Sequence, residues 1–211
     1  MDLFGPVAYI SIGGNKYGLV IVDDYSRFTW VFFLHDKSVV QETFKKFAKR
    51  AQNEFETKIK KVRSGNGTEF KNTNVEEFLD EEGIGHEFSV PYTQQNRIIE
   101  RKNRTLTEAA RTILDEYKIS DQFWAEAINT ACHAINRLYL HKILNKTAYE
   151  LLLGKKPNVS YFRVFGSKFF ILNKKPRTLN SHLKLMKDFF LVMPQMLMAI
   201  VFSTKPPVVL K

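Results

Sequence analysis

Cysteine is nearly absent from this 211-residue chain: Cys132 stands alone, so no internal disulfide can staple the fold. Its neighbours Ala127, Ile128, Ala131 and Ile135 mark it as a small core residue. Acid is scarce as well, with 22 Asp and Glu against 32 Lys and Arg, a net charge of +10. That excess favours a polyanionic partner such as DNA or RNA over an acidic surface that repels one. No run is long and apolar enough to span a bilayer, because Phe189 to Phe202 is short and broken by Pro194 and Gln195. An apolar leader is missing too, since Asp2 follows Met1 directly, and the expectation is an intracellular protein, nuclear or cytoplasmic. Repeats and low-complexity linkers are likewise missing. What remains is 44% hydrophobic and 13% aromatic, enough to bury one good core with or without a loosely attached tail.

The pattern of that apolar content is α/β. Tyr17 to Val22 and Phe28 to Leu34 are β-branched and aromatic runs joined by Asp23-Asp24-Tyr25-Ser26-Arg27, an antiparallel hairpin. Val39, Val40, Phe44, Phe47, Ala48 and Ala51 recur at helical spacing. Ile59 and Val62 predict a short strand running into Ser64-Gly65, and Asn74 with Glu77 predicts a capped helix through Phe78 and Leu79. His86 to Val90 is a further strand, two helices follow at roughly 98 to 117 and 121 to 139, and Thr147 with Glu150 caps a short helix ending near Gly154.

Three positions stand out in this order. Asp2 falls on or just after a first strand, Gly65 at the end of a later one, and Glu100 at the opening of a helix. At about 100° per residue, Glu100, Arg104, Thr107 and Arg111 share a stripe well away from Ile99, Leu106, Ala110, Ile113 and Tyr117. Alone, Glu100 reads as an exposed acid paired with Arg104, worth about a few tenths of a kcal/mol.

Taken together, the segments say more. Asp2-Leu3-Phe4-Gly5-Pro6, Tyr17 to Arg27, Arg63 to Phe70, Glu100 to Leu106, Tyr149-Glu150-Leu151-Leu152 and Phe162 to Gly166 resemble the integrase core of copia-type LTR retrotransposons, over about residues 1 to 173. The resemblance implies an RNase H-like fold, a mixed five-stranded sheet flanked by helices with an irregular C-terminal tail. It also implies a triad of two aspartates and a glutamate that holds divalent metal, Mg²⁺ or Mn²⁺. Hard carboxylate oxygens suit such ions, which activate a water or a DNA 3′-hydroxyl for attack on a phosphodiester. By that resemblance Asp2 is the first acid and Glu100 the third, both as metal ligands and catalytic groups.

The second acid is missing. The family writes RSDNGTEF where this chain has Arg63-Ser64-Gly65-Asn66-Gly67-Thr68-Glu69-Phe70, so Gly65 stands in the position of an aspartate. Glu69, Asp23 and Asp24 belong to the ordinary family pattern and are not expected to replace it. Before the helix, the family's PYTPQQNGVVERKN has become Pro91-Tyr92-Thr93-Gln94-Gln95-Asn96-Arg97-Ile98-Ile99-Glu100, one proline shorter and with Arg97 for a glycine. The expected contacts to DNA phosphate are Asn96, Arg97, Lys102, Asn103, Arg104 and Arg111 around the helix and Lys61 and Arg63 on the strand before Gly65. The reading is therefore an integrase core that binds DNA and has lost strand transfer, with homo-oligomers expected of the family. The alternative is a non-catalytic nucleic-acid-binding or assembly fragment of a decayed element.

Residues 1–145 form the expected core, opening so close to the first acid that its first strand is expected to be truncated; 146–175 continue the family pattern. Beyond, Met186, Met193, Met196 and Met198 crowd the last quarter. Codons chosen for Leu185 to Phe190, CTG ATG AAG GAT TTT TTC, read one nucleotide earlier as ADEGFF, which resembles the family's next segment. A frameshift near Lys174 to Pro176 and a poorly ordered 176–211 follow. His35, His86, His133, His141 and His182 form no zinc spacing with Cys132.

Overall fold

The computed structural model describes residues 1–89, 97–171 and 186–189, the strands at 168–171 and 186–189 by backbone only. Strand β1 (Asp2–Phe4) pairs antiparallel with β2 (Tyr17–Val22), and β2 with β3 (Thr29–Leu34) in the predicted hairpin. The turn is closed by Asp23, whose carboxylate accepts from the Ser26 amide at 2.7 Å and from its hydroxyl at 2.6 Å. Helix α1 (Val40–Phe55) follows, burying Val40, Phe44 and Ala48 as its spacing predicts. A parallel pair, β4 (Lys61–Ser64) and β5 (Gly85–Phe88), is connected through α2 (Thr73–Glu81). Then come α3 (Arg97–Glu116), α4 (Trp124–Leu138) and α5 (Ala148–Leu153), the last with the predicted reciprocal capping box of Thr147 and Glu150.

Strand β2 lies at the centre of three layers. Val20 points into a core built with Leu106, Ala110 and Leu114 of α3 and Trp124, Ile128 and Ala131 of α4. Its neighbours Leu19 and Ile21 point the other way, into a core with Phe44 of α1 and Val75, Phe78 and Leu79 of α2. Alternate side chains of a strand leave opposite faces, so a strand covered by helices on both sides needs an unbroken apolar run. Gly18-Leu19-Val20-Ile21 is entirely buried for that reason.

Two expectations are corrected. The helix at 73–81 is capped by Asn72 and not Asn74: the Asn72 side chain accepts from the Asn74 amide at 3.0 Å, and its extended backbone breaks the chain direction one residue before Thr73. More consequentially, the sheet is not one of five strands but a three-stranded antiparallel sheet, β1-β2-β3, and a separate two-stranded parallel sheet, β4-β5. Strand β1 has three residues, and the link recorded from its start to β4 is the Met1 amino group donating to the Arg63 carbonyl. One such bond is not a ladder, which needs successive pairs along both strands.

Strand β6 (Lys168–Ile171), within 146–175, pairs antiparallel with β7 (Met186–Phe189), which falls in the tail expected to be irregular. The rest of 176–211 lies outside the described residues, as do the end of the predicted strand at Val90 and the loop from Pro91 to Asn96. Among the described residues no helix is long and apolar enough to cross a membrane.

Candidate active site

Asp2, Gly65 and Glu100 come together where β1, the end of β4 and the first turn of α3 meet. The Asp2 carboxylate is half-buried and accepts from Asn103 Nδ2 at 2.7 Å. Burial pushes its pKa up, and the negative charges of Glu100 and Glu69 push in the same direction, against the Leu3 amide and the terminal amino group. Burial and nearby like charge both disfavour the ionised form of a carboxyl group.

Gly65 follows Ser64 directly after β4. Among the described residues outside its chain neighbours, a Cβ built on it would have only Asp2 Oδ1 within 4 Å, at 3.9 Å. Its backbone is not in the left-handed region, so no conformational reason requires glycine there. The position therefore lies next to the first acid, and none of the described residues crowds a Cβ there.

The loop around it is well anchored. Ser89 Oγ donates to the Ser64 carbonyl at 2.8 Å, and Ser64 Oγ lies 2.9 Å from His86 Nε2. Glu69 folds back over Gly67, where a Cβ would meet its carboxylate at 2.4 Å. Sequence reasoning kept Glu69 out of the site; it lies close enough to raise Asp2, although it comes from the far side of the loop.

The residues do not fit a two-cation centre. Two carboxylates on separate elements flank a position with no donor, and one Asp2 oxygen is engaged by Asn103. Among the described residues, no group of three His, Cys, Asp or Glu is placed to hold a metal ion.

The basic residues divide. Arg97, Arg104 and Arg111 are exposed on α3 with Glu100. Lys61 and Arg63 are both occupied by Glu87 of β5, at 2.5 and 3.0 Å. Lys102 is not on the exposed side: burial lowers its pKa, and it is turned toward Cys132 and Arg27. Asn103 likewise faces Asp2, and Asn96 lies outside the described residues. Asn103 is displaced by about 60° from Glu100 toward the core stripe, which is the signal that could have identified it as a partner of Asp2. Cys132 is the core residue expected; its thiol bonds the Thr29 carbonyl at 3.2 Å, and burial pushes its pKa to about 12.

Comparison with known proteins agrees with this geometry. Residues 1–94 match the integrase core domain family. Over 179 residues, 84% of this chain, it is 38% identical to the retrovirus-related Pol polyprotein from transposon TNT 1-94 of Nicotiana tabacum. Over 158 residues, 74% of this chain, it is 36% identical to that of transposon RE1 of Arabidopsis thaliana. The chain spans 14% and 11% of those relatives. The HTLV-2 integrase catalytic core domain, solved in complex with magnesium in a trimeric form, superposes with a TM-score of 0.52 at 20% identity, over 72% of this chain and 95% of that one. A simian T-cell lymphotropic virus intasome chain gives 0.54 at 16% identity, over 91% and 69%. At these identities the structures speak for the fold, which is that of RNase H-like integrase cores. By its 38% identity to the tobacco relative over 84% of its length, the chain belongs to the integrase cores of Ty1/copia-type retrotransposon Pol polyproteins.

Proposed function

We propose that this chain is a DNA-binding integrase core that no longer transfers strands. In the parent reaction, divalent cations held by three acids activate the attacking oxygen and stabilise charge on the phosphodiester. Here the observation that carries the reading is Gly65: a Cβ there would stand 3.9 Å from Asp2 Oδ1, beside the first acid, yet the residue supplies no carboxylate. With two acids left, the several kcal/mol that such cations contribute to the transition state are lost. What the chain's own residues still do is present phosphate-binding charge beside the site, through Arg97, Arg104 and Arg111 on the exposed face of α3.

DNA is accordingly the partner, in the nucleus or cytoplasm, with Mg²⁺ or Mn²⁺ relevant to a repaired site and self-association expected of an integrase. The reading is tested with a strand-transfer assay on an oligonucleotide modelling an element end, with Mg²⁺ or Mn²⁺. The unsubstituted chain is expected to be silent, and product formation by it overturns the proposal. A second arm titrates Mn²⁺ into the unsubstituted chain and into Gly65→Asp, alone and with a proline inserted after Thr93. Stoichiometric binding is expected only where the aspartate is present. Equal binding without it would assign the ligand role elsewhere, Glu69 first.

A further inference from the structure

Past the end of β4 the chain reads Gly65-Asn66-Gly67, and Asn66-Gly67 is the one Asn-Gly pair in the 211 residues. Asn66 is exposed and Gly67 half-buried. Gly67 is held through its carbonyl, which accepts from the amides of Phe70 and Lys71, each at 3.0 Å. Among the described residues, no hydrogen bond engages its N–H or the Asn66 side chain. An exposed side-chain amide therefore stands free beside a backbone nitrogen that is free as well.

Asparagine is among the thermolabile residues, and here its surroundings bring together what its chemistry needs. Gly67 has no Cβ to hinder the approach of its nitrogen to Asn66 Cγ, and Gly65 adds no bulk on the other side. Glu69 folds back over Gly67, so closely that a Cβ there would collide with its carboxylate. A proton acceptor thus lies against the residue whose nitrogen must lose a proton to attack.

We propose that Asn66 is a site of self-modification, at which the loop converts its own side-chain amide into a carboxylate. With Glu69 accepting its proton, the Gly67 nitrogen bonds to Asn66 Cγ and the Cγ–Nδ2 bond breaks. The proton passes to the departing Nδ2, which leaves as ammonia. Solvent water then opens the resulting succinimide at either of its carbonyls, giving aspartate or isoaspartate, the latter with the main chain running through Cγ. Nothing is oxidised or reduced. Either product puts a carboxylate on the residue after Gly65, the position beside Asp2 that carries none, and lowers the net charge of +10 by one. The inference does not depend on whether Gly65 abolishes strand transfer, because mass and not activity reads it.

The test incubates the full-length chain, Glu69→Gln and Asn66→Gln at neutral pH, each folded and in urea, and follows the tryptic peptide Ser64–Lys71 by mass spectrometry against a sample taken at the start. Conversion adds the mass difference between –NH2 and –OH and splits the peptide into two chromatographic forms, aspartate and isoaspartate. The folded unsubstituted chain is expected to convert at Asn66 ahead of every other asparagine, and faster than the same chain in urea. Glu69→Gln should slow the folded chain about tenfold, less than the ~10²-fold of a fully positioned base because Glu69 is only half-buried. In urea, where the loop geometry is lost, the two should convert alike. Asn66→Gln, whose ring closure needs one more atom, should stay unconverted. Equal rates for the folded unsubstituted chain and folded Glu69→Gln overturn the proposal. So does conversion of the unsubstituted chain that is faster in urea, a reading that stands even if Glu69→Gln does not fold.

Discussion

At the residue scale the decisive position is one whose side chain is absent. Gly65 is neither strained nor crowded, so Gly65→Asp should fold, whereas Gly166 illustrates the opposite case. Gly166 has φ of 79°, and a Cβ there would lie 2.7 Å from Ile119 Cδ1 and 2.8 Å from Tyr117 Cβ. Gly166→Ala is therefore expected to cost about 2 kcal/mol or more, read as a lower urea midpoint with unchanged slope. Gly65→Asp adds a third carboxylate beside Asp2 and Glu100. Its melting temperature should rise on adding Mg²⁺ by linkage, while that of the unsubstituted chain stays put. A thermal scan with and without the cation decides between them. Asn103 gives a third test. Losing its donor in Asn103→Leu should move the Asp2 titration further above the ordinary aspartate range, measured by carboxyl NMR, since a hydrogen bond to the charged form is removed. Helical projection turns Asn103 toward the core stripe, but the bond itself joins residues 101 apart, so only the fold names Asp2 as its partner.

At the element scale, most of the architecture is written in periodicity. The β2–β3 hairpin, α1, α3, α4 and the Thr147 capping box follow from local rules; the hairpin and α3 agree with the structure to within a residue or two, whereas α1 runs on past Ala51 to Phe55 and α4 begins at Trp124 after a 3-10 turn at 121–123. The cap of α2 did not follow, because Asn72 and Asn74 both satisfy the residue preference and only the extended backbone at Asn72 selects between them. Removing the hydroxyl in Thr147→Ala takes away both its reciprocal bonds with Glu150, at 2.9 and 3.1 Å. The expected cost is about 1 kcal/mol, seen as faster amide exchange across α5 with the rest of the fold unaffected.

At the scale of the whole molecule, charge governs two behaviours. Burial pushes the pKa of the Met1 amine down to about 6 in the fold, from an ordinary value of 8.0. Between those values the unfolded chain binds more protons than the folded one, so stability should rise with pH from about 6 to about 8 and level off above. Denaturant midpoints across that window check the sign, and acetylation of the amine should flatten the rise. The net charge of +10, with Arg97, Arg104 and Arg111 exposed beside the site, predicts steeply salt-dependent DNA binding. Charge-neutral substitution of the three should reduce the slope of log affinity against log salt by about 3, measured by fluorescence anisotropy. A slope unchanged by the triple substitution would place the DNA elsewhere.

The sequence by itself determined the family and most of the helices and strands, and it singled out Asp2, Gly65 and Glu100 as candidate site positions. Those are properties of apolar period and of short segments in a fixed order, each carried by residues close along the chain. Only the tertiary structure decided that Lys102 and Asn103 turn inward, that Glu87 pairs with both Lys61 and Arg63, and that the sheet is divided beside Met1. These depend on which strand edges and helix faces meet across long sequence separations, and hydrogen bonds and ion pairs between such partners leave no mark in local pattern.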